Sequence, residues 1–553
     1  MKTKETTPGK TYSVHTSSGC TVSDQNGWSK TIAAPEGYFT AHASEVTIEG
    51  DDEASVKELF KLAPAALVSG GGSASGGSGA YPGWVGYIEY DDETGAAIAA
   101  DYSGLEIGTI SNSLSFRGTN FIGDWNGGIG KLTSCPHMFY RCDGLTSFTS
   151  DLSNLTSGIS MFSGCTGLTT FNVDLPNLTT GSAMFSDCTG LTSFDVDLPN
   201  LTNGHYMFDG CNKLTSFTSD LPNLTTGTYM FQDCRSLTSF DVELPKLTNS
   251  SYMFYGCTNL TTFISDLSSL TTVSNMFYRC TSLATFNSSL SSLTNGSEMF
   301  EDCTGLTTFI SDLSSLTTGS SMFYGCTNLT SFDVDLPKLT DGSSMFAGCV
   351  SLSSFNSDLS SLTGGTNMFA RCTGLTSFTS DLPNLTAGNY MFQSCTGLTS
   401  FSSDLSSIDN GYSMFDSCTR LTSFNSDLSS IVYGTYMFED CTGLTSFSSD
   451  LSSLTTGTGM FDGCTSLTSF SSDLSSLTTG NYMFSGCALD SDSVERILTT
   501  IPEYSSGSHP LTMVIQSGEA AAKFGEITGT TPTSSQISVQ FKGWSISVKT
   551  SNK

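Results

Sequence analysis

Cysteine is the residue type here whose spacing could do the most chemistry. Sixteen of the 18 cysteines, from Cys142 to Cys487, recur every 23 residues. Clustered thiolates bind zinc or act as nucleophiles, and a column of thiols can oxidise where Cα atoms come within about 7 Å. No C-x-x-C pair occurs, which argues against a zinc site. A continuous ladder also cannot pair evenly. The sixteen cysteines therefore read as buried, reduced, small apolar residues.

Carboxylates form a second column. Fourteen of 15 copies carry Asp or Glu at one repeat position, from Asp151 to Asp473, with Glu243 among them and Ser289 the exception. Stacked carboxylates repel one another, so each is expected to accept a local backbone N–H as a turn cap. Calcium bridging is the alternative, with Asp195 beside Asp197 and Asp333 beside Asp335 as the candidate ligands. No EF-hand pattern accompanies them.

A third pattern is aromatic. Tyr206, Tyr229, Tyr252, Tyr390, Tyr436 and Tyr482 stand before a Met-Phe pair, and Tyr140, Tyr255, Tyr278 and Tyr324 come after one. Their variation between copies places them outside, where Tyr suits protein or sugar contact. Arg141, Arg279 and Arg371 lie beside this edge. The five histidines have no nucleophile or carboxylate at a catalytic spacing. No cofactor motif is present, and the reading is of a protein that is not an enzyme.

The elements that must position these columns derive from one period. Met-Phe pairs begin at Met138 and recur every 23 residues to Met483, sixteen copies without an insertion. In the copy from Met322 to Ser344 the apolar positions are Met322, Phe323, Cys326, Leu329, Phe332, Leu336 and Leu339. Their spacing suits neither a helix nor a hairpin. A coil with short straight sides, stacked on its neighbours, buries them in a column. Each contributes about 1.5–3 kcal/mol when buried. The Gly at repeat position 21, as in Gly158, Gly181 and Gly204, is expected at a positive-φ corner. Ser250 and Val273 break that rule.

The runs F-x-x-C-x-x-L-T-S-F and D-L-P-x-L-T-x-G resemble the 23-residue leucine-rich repeats of BspA-like bacterial surface proteins. The opening M-F-x-G-C is also similar to repeats of mycoplasma-type surface lipoproteins. The resemblance implies a mainly β fold: a leucine-rich-repeat-like parallel β solenoid of about 16 coils. The chain departs from the family two residues after the repeat Phe, where Ser150 and Ser265 stand for an apolar residue. That implies a weaker or shifted strand.

The chain divides into five segments. Residues 1–68 are read as a β-rich attachment region, 69–80 as a Gly/Ser linker and 81–137 as a β segment leading into the solenoid. Residues 138–489 are the repeats, and 490–553 are a small αβαβ cap that covers the last coil. Within the first segment, SVKELFKLAPAAL (55–67) is expected to form a helix. The cap's pattern is similar to the tails of repeat proteins from phages of gut bacteria.

The net charge of −31, with only 21 Lys and Arg, argues against nucleic acid. No apolar run of membrane-spanning length occurs, and no secretory signal opens the chain. A virion component of a tailed phage (fibre, spike or decoration protein) is the expected function, placed in the virion or at an extracellular surface. A BspA-like cell-surface adhesin is the alternative, and an ice-binding solenoid is a third reading. Partners would be other virion or surface proteins, or a bacterial surface protein or glycan. Homo-oligomerisation is left open by the sequence.

Overall fold

The computed structural model describes residues 20–32, 45–49, 129–130, 132–505, 509–515, 518–530, 532 and 537–550, with the backbone of seven further strands between Lys2 and Trp125. The chain forms two compact units, Met1–Leu247 and Thr248–Lys553.

The first unit opens with two antiparallel sheets. One pairs Lys2–Glu5, Glu45–Glu49, Cys20–Asp24 and Ser29–Ile32 in that order. Cys20, Val22, Val46 and Ile48 point inward from it with the two-residue alternation of a strand. The second orders Glu36–Thr40, Thr11–His15, Ser55–Phe60, Gly86–Tyr90 and Ala97–Asp101. Ser55–Phe60 is thus a strand, not the start of the expected helix. It pairs on both sides, with Thr11–His15 and with Gly86–Tyr90. Two neighbours supply a full ladder, and this overrides the helix preference of Lys-Glu-Leu. Residues 61–85, including the 69–80 segment, lie outside the described residues. The strands on either side of that segment pair in one sheet.

A degenerate half-coil precedes the first Met-Phe pair. Ile122–Trp125 pairs in parallel with Gly144–Phe148, opposing Trp125 to Phe148. Trp125, Ile129, Leu132 and Cys135 are buried where later coils carry Phe, Leu, Leu and Gly. The Trp125 ring meets Phe139 edge-on at 4.8 Å. Full coils then run from Met138 to the end of this unit.

In the second unit the coil from Met322 to Ser344 is representative. All seven expected apolar side chains are buried. Phe300, Phe323 and Phe346 stack at 5.5 and 5.4 Å, and Phe309, Phe332 and Phe355 stack at 5.9 Å. Edge contacts such as Phe309 to Phe323 at 4.8 Å knit the two columns together. The regular strand is only Ser331–Phe332, paired in parallel with Ser354–Phe355. Elsewhere the Met-Phe edge bonds coil to coil, with Phe323 N–H donating to the Met345 carbonyl at 2.9 Å.

Met322 and Phe323 are adjacent yet both face inward, which a strand does not allow. Left-handed residues bracket the pair. Every coil has positive φ at the residue before Met and at the residue before Cys, as in Ser321 (53°) and Gly325 (69°). The first position is filled by Tyr, Ser, Asn or Glu in most coils, where αL costs about 1–2 kcal/mol. The Gly at repeat position 21 does not take the positive-φ corner expected of it: Gly158, Gly181 and Gly204 lie outside that set. Their reason is space. A Cβ on Gly158 would lie 2.6 Å from Met184 Sδ in the next coil, and one on Gly342 would lie 2.9 Å from Met368 Sδ. Val273 and Ser250 accordingly need no special backbone, and both are buried.

Of the eleven serines two residues after the repeat Phe, all but the half-buried Ser449 are buried as apolar residues would be, and the strand ends before them. Seven of their hydroxyls, at Ser219, Ser265, Ser288, Ser311, Ser403, Ser426 and Ser472, have no hydrogen-bond partner.

The last coil runs into Gly480–Leu489, and the cap continues as helix α1 (Ser491–Thr500), strand His509–Ile515, helix α2 (Gly518–Thr528) and strands Ile537–Phe541 and Trp544–Thr550. Asp490 caps α1 by accepting from Ser493 N–H at 2.8 Å. Lys542 Nζ closes its other end on the carbonyls of Leu498, Thr499 and Ile501. The cap also answers backbone groups that the final coil leaves open. Ser493 Oγ accepts from Phe470 N–H at 2.7 Å, Arg496 Nε donates to the Ser472 carbonyl and Tyr504 donates to the Leu477 carbonyl.

Candidate binding surfaces

The thiol column is a structural ladder. Each cysteine is buried, and none is joined in a disulfide. Cys165 Sγ donates to the Phe139 carbonyl of the preceding coil at 3.0 Å, and Cys326 Sγ does the same to Phe300 at 3.2 Å. Burial pushes thiols of the column up, as at Cys165, Cys326 and Cys395, and raises Cys135 and Cys372 to about 12, which disfavours the thiolate.

The carboxylate column splits into two classes, set by the residue two positions after the Asp. Where the sequence is D-L-S, Asp Oδ1 accepts the Ser N–H two residues on: Asp312 from Ser314, Asp358 from Ser360 and Asp450 from Ser452, each at 2.8 Å. Where it is D-L-P that donor is missing, because proline has no N–H. Asp335 and Asp381 then accept from the acidic residue of the next coil, Asp358 N–H and Asp404 N–H, both at 3.1 Å. Asp197 accepts from Asp220 N–H at 3.4 Å in the same way. The calcium candidates thus serve backbone bonds through Asp197 and Asp335. Asp195 and Asp197 line an open hollow of about 630 Å³ with Asn172, Asp174 and Pro176. Among the described residues no group of three or more His, Cys, Asp or Glu is disposed to hold a metal ion.

The tyrosine edge is less open than expected. Tyr206, Tyr229, Tyr252, Tyr390 and Tyr436 all have left-handed backbone and are half-buried, whereas Tyr482 shares that backbone and is exposed. Tyr206 stacks on Tyr229 at 4.5 Å with planes 1° apart. The Tyr436 ring crosses Gly459, leaving no room for a Cβ there. Tyr255 stacks on Tyr278 at 5.1 Å, with Tyr252 6.0 Å from Tyr255. The Arg279 guanidinium sits 5.0 Å over Tyr278 and 3.6 Å from Asp302. Tyr390 and Tyr436 are joined through Tyr412, which escapes the sequence pattern because it stands one residue earlier in its repeat. Tyr324, Tyr482 and Arg371 are exposed and outside these ring clusters.

Carboxyls crowd on this same edge. Burial, with Asp187 and Asp233 beside it, raises Asp209 to about 7. Burial, with Glu298 and Asp302 nearby, raises Glu301 to about 7 against the pull of Arg279.

Threonine hydroxyls along the coils are tied into the ladder. Thr215 Oγ1 donates to the Thr192 carbonyl at 3.0 Å and Thr340 Oγ1 to the Thr317 carbonyl at 3.1 Å. Two histidines use Nδ1 on backbone carbonyls, His205 on Thr228 and His509 on Thr478.

No curated protein matches this chain. Among solved structures, a leucine-rich repeat protein from Bacteroides ovatus is 19% identical with a TM-score of 0.43, covering 77% of this chain and 92% of that one. A leucine-rich cell surface protein from Faecalibacterium prausnitzii is 18% identical with a TM-score of 0.30, covering 72% and 96%. The repeats themselves match the BspA-type leucine-rich repeat region over residues 135–261, 248–376, 336–445 and 386–509. The sixteen-fold period, the inward apolar columns and that match agree, and the chain belongs to the BspA-type leucine-rich repeat family.

Proposed function

We propose that this chain is a non-enzymatic adhesin displayed on a bacterial cell surface, where its coils hold protein partners. The observation that carries this reading is the family match along residues 135–509. The coil design supports it. A nearly invariant interior fixes the backbone, while the outward positions vary from coil to coil and are free to be tuned to a partner. Cell-surface adhesin is preferred over virion component, because the family match spans the repeats, whereas the pointer to a phage particle rests on the pattern of the cap. Among the described residues no helix is long and apolar enough to cross a membrane.

Antibody labelling of intact producing cells tests the proposal. Labelling that is lost on brief external protease treatment is the expected result. Signal confined to purified phage particles, or appearing only after lysis, would overturn it.

A further inference from the structure

The repeats are so alike that departures from them carry information, and on the sheet face they gather in one place. Outward positions flank the repeat Phe. In fifteen copies the residue two before Phe is Thr, Ser or Ala, with Ala284 the single copy lacking a hydroxyl. The residue three after Phe is acidic in all but Ser289. The residue one after Phe is polar or acidic in every copy but two, Ile264 and Ile310. All four departures fall on three successive coils of the second unit. Thr285 pairs with Thr308 in the parallel register, and Ile310 N–H donates to the Phe286 carbonyl, so Ile264, Asn287 and Ile310 share one row. Two coil spacings put the isoleucines about 10 Å apart. Ile264 is 55% exposed and Ile310 71%.

Single exposed apolar residues need no explanation. Here two isoleucines flank the one gap in the carboxylate column, and the hydroxyl beside that gap is also gone. Asp266 and Asp312 remain on either side, and no copy carries Lys or Arg at the three face positions around the repeat Phe.

We infer that Ile264, Asn287, Ser289 and Ile310 form a docking patch for a protein segment that presents two apolar side chains framed by Lys or Arg. The isoleucines supply the apolar contact, and the gap at Ser289 avoids burying a carboxylate under the partner. Asp266 and Asp312 meet the partner's basic rim and steer its approach. This deepens the surface-binding reading and rests on it.

The test uses the full chain against a displayed library of random twelve-residue peptides, with the Ile264→Asp/Ile310→Asp chain as the counter-target. Asp already occupies this row at Asp195, Asp241 and Asp333, so the substitutions keep a residue the coil accepts. Enrichment of peptides combining apolar and basic residues is expected. Their affinity should fall roughly tenfold or more on the double variant and weaken with salt. Binders that are acidic, or that bind both chains equally, would overturn the proposal, as would failure to enrich any binder over the double variant. Loss of surface display in the labelling experiment would instead sink the adhesin reading and leave this result standing.

Discussion

In the coils of the second unit before Gly480 a regular strand lasts two or three residues, whereas the cap of the same unit holds strands of five to seven and two helices. The cap is built from local preference. Alternating Leu511, Met513 and Ile515 face its core, and α1 has an Asp at its start and a lysine across its end. A coil has little local preference to draw on. Beyond turn bonds two or three residues long, its bonds run to residues 22 to 26 positions away, as in Phe323 to Met345 and Cys326 to Phe300. Its backbone also holds two left-handed residues at Ser321 and Gly325. Stacking therefore maintains a shape that the isolated segment would not adopt, which is the general condition of solenoid repeats. The cap is the place where that dependence ends, because its side chains answer the last open backbone groups.

The sharpest way to break this contrast is to remove a member of the phenylalanine column. Phe323→Ala should cost about 3–5 kcal/mol in chemical denaturation, while Tyr324→Ala, next to it but exposed, should stay within about 0.5 kcal/mol. Equal effects would mean that inside and outside are reversed. Next in size is Gly342→Val. Its side chain would collide with Met368, and overpacking of this kind costs about 1–3 kcal/mol. Adding Met368→Ala should recover part of the loss if space is the cause, and none if the backbone angle is.

Ser403→Val should act in the opposite direction. The Ser403 hydroxyl is buried without a partner, and Val196 and Val242 fill the same repeat position elsewhere. Replacing it should stabilise the chain by about 1 kcal/mol, read as a higher denaturation midpoint. The smallest expected effect is on pH dependence. Asp209 and Glu301 have folded pKa values raised to about 7, above those of the unfolded chain. Their contribution is fully present below the ordinary carboxylate range and is lost as pH rises through about 7. Melting temperature should therefore fall between pH 5 and pH 8, and Asp209→Asn should flatten that slope.

The inward columns are legible in the sequence because Met, Phe, Cys and Leu recur without slippage, and the cap is legible because its helices and strands carry ordinary signals. The bracketing left-handed residues are not. Tyr206, Glu298 and Ser321 share a conformation for which their types give no hint, since stacking imposes it. Gly158 misleads because glycine answers two needs, positive φ and close approach, and here the Met184 side chain decides for the second. The half-coil at Trp125 lacks the Met-Phe pair that marks the others. Ile264 and Ile310 are visible as letters but gain meaning only once the register places them on one row. The tyrosines belong to an outer edge, as their variation implies, and the stacking of Tyr206 on Tyr229, both left-handed, is not displayed by the sequence.

The sixteen column cysteines offer the most direct check of the stacked-coil interior, because each is buried inside it, Cys326 on the Phe300 carbonyl of the coil before, for example. Thiol modification by a water-soluble reagent, counted by mass on the reduced native chain and again in denaturant, is the measurement. Essentially no labelling in the native state and labelling of all 18 after unfolding is the predicted result. Rapid native labelling of many cysteines would contradict the account.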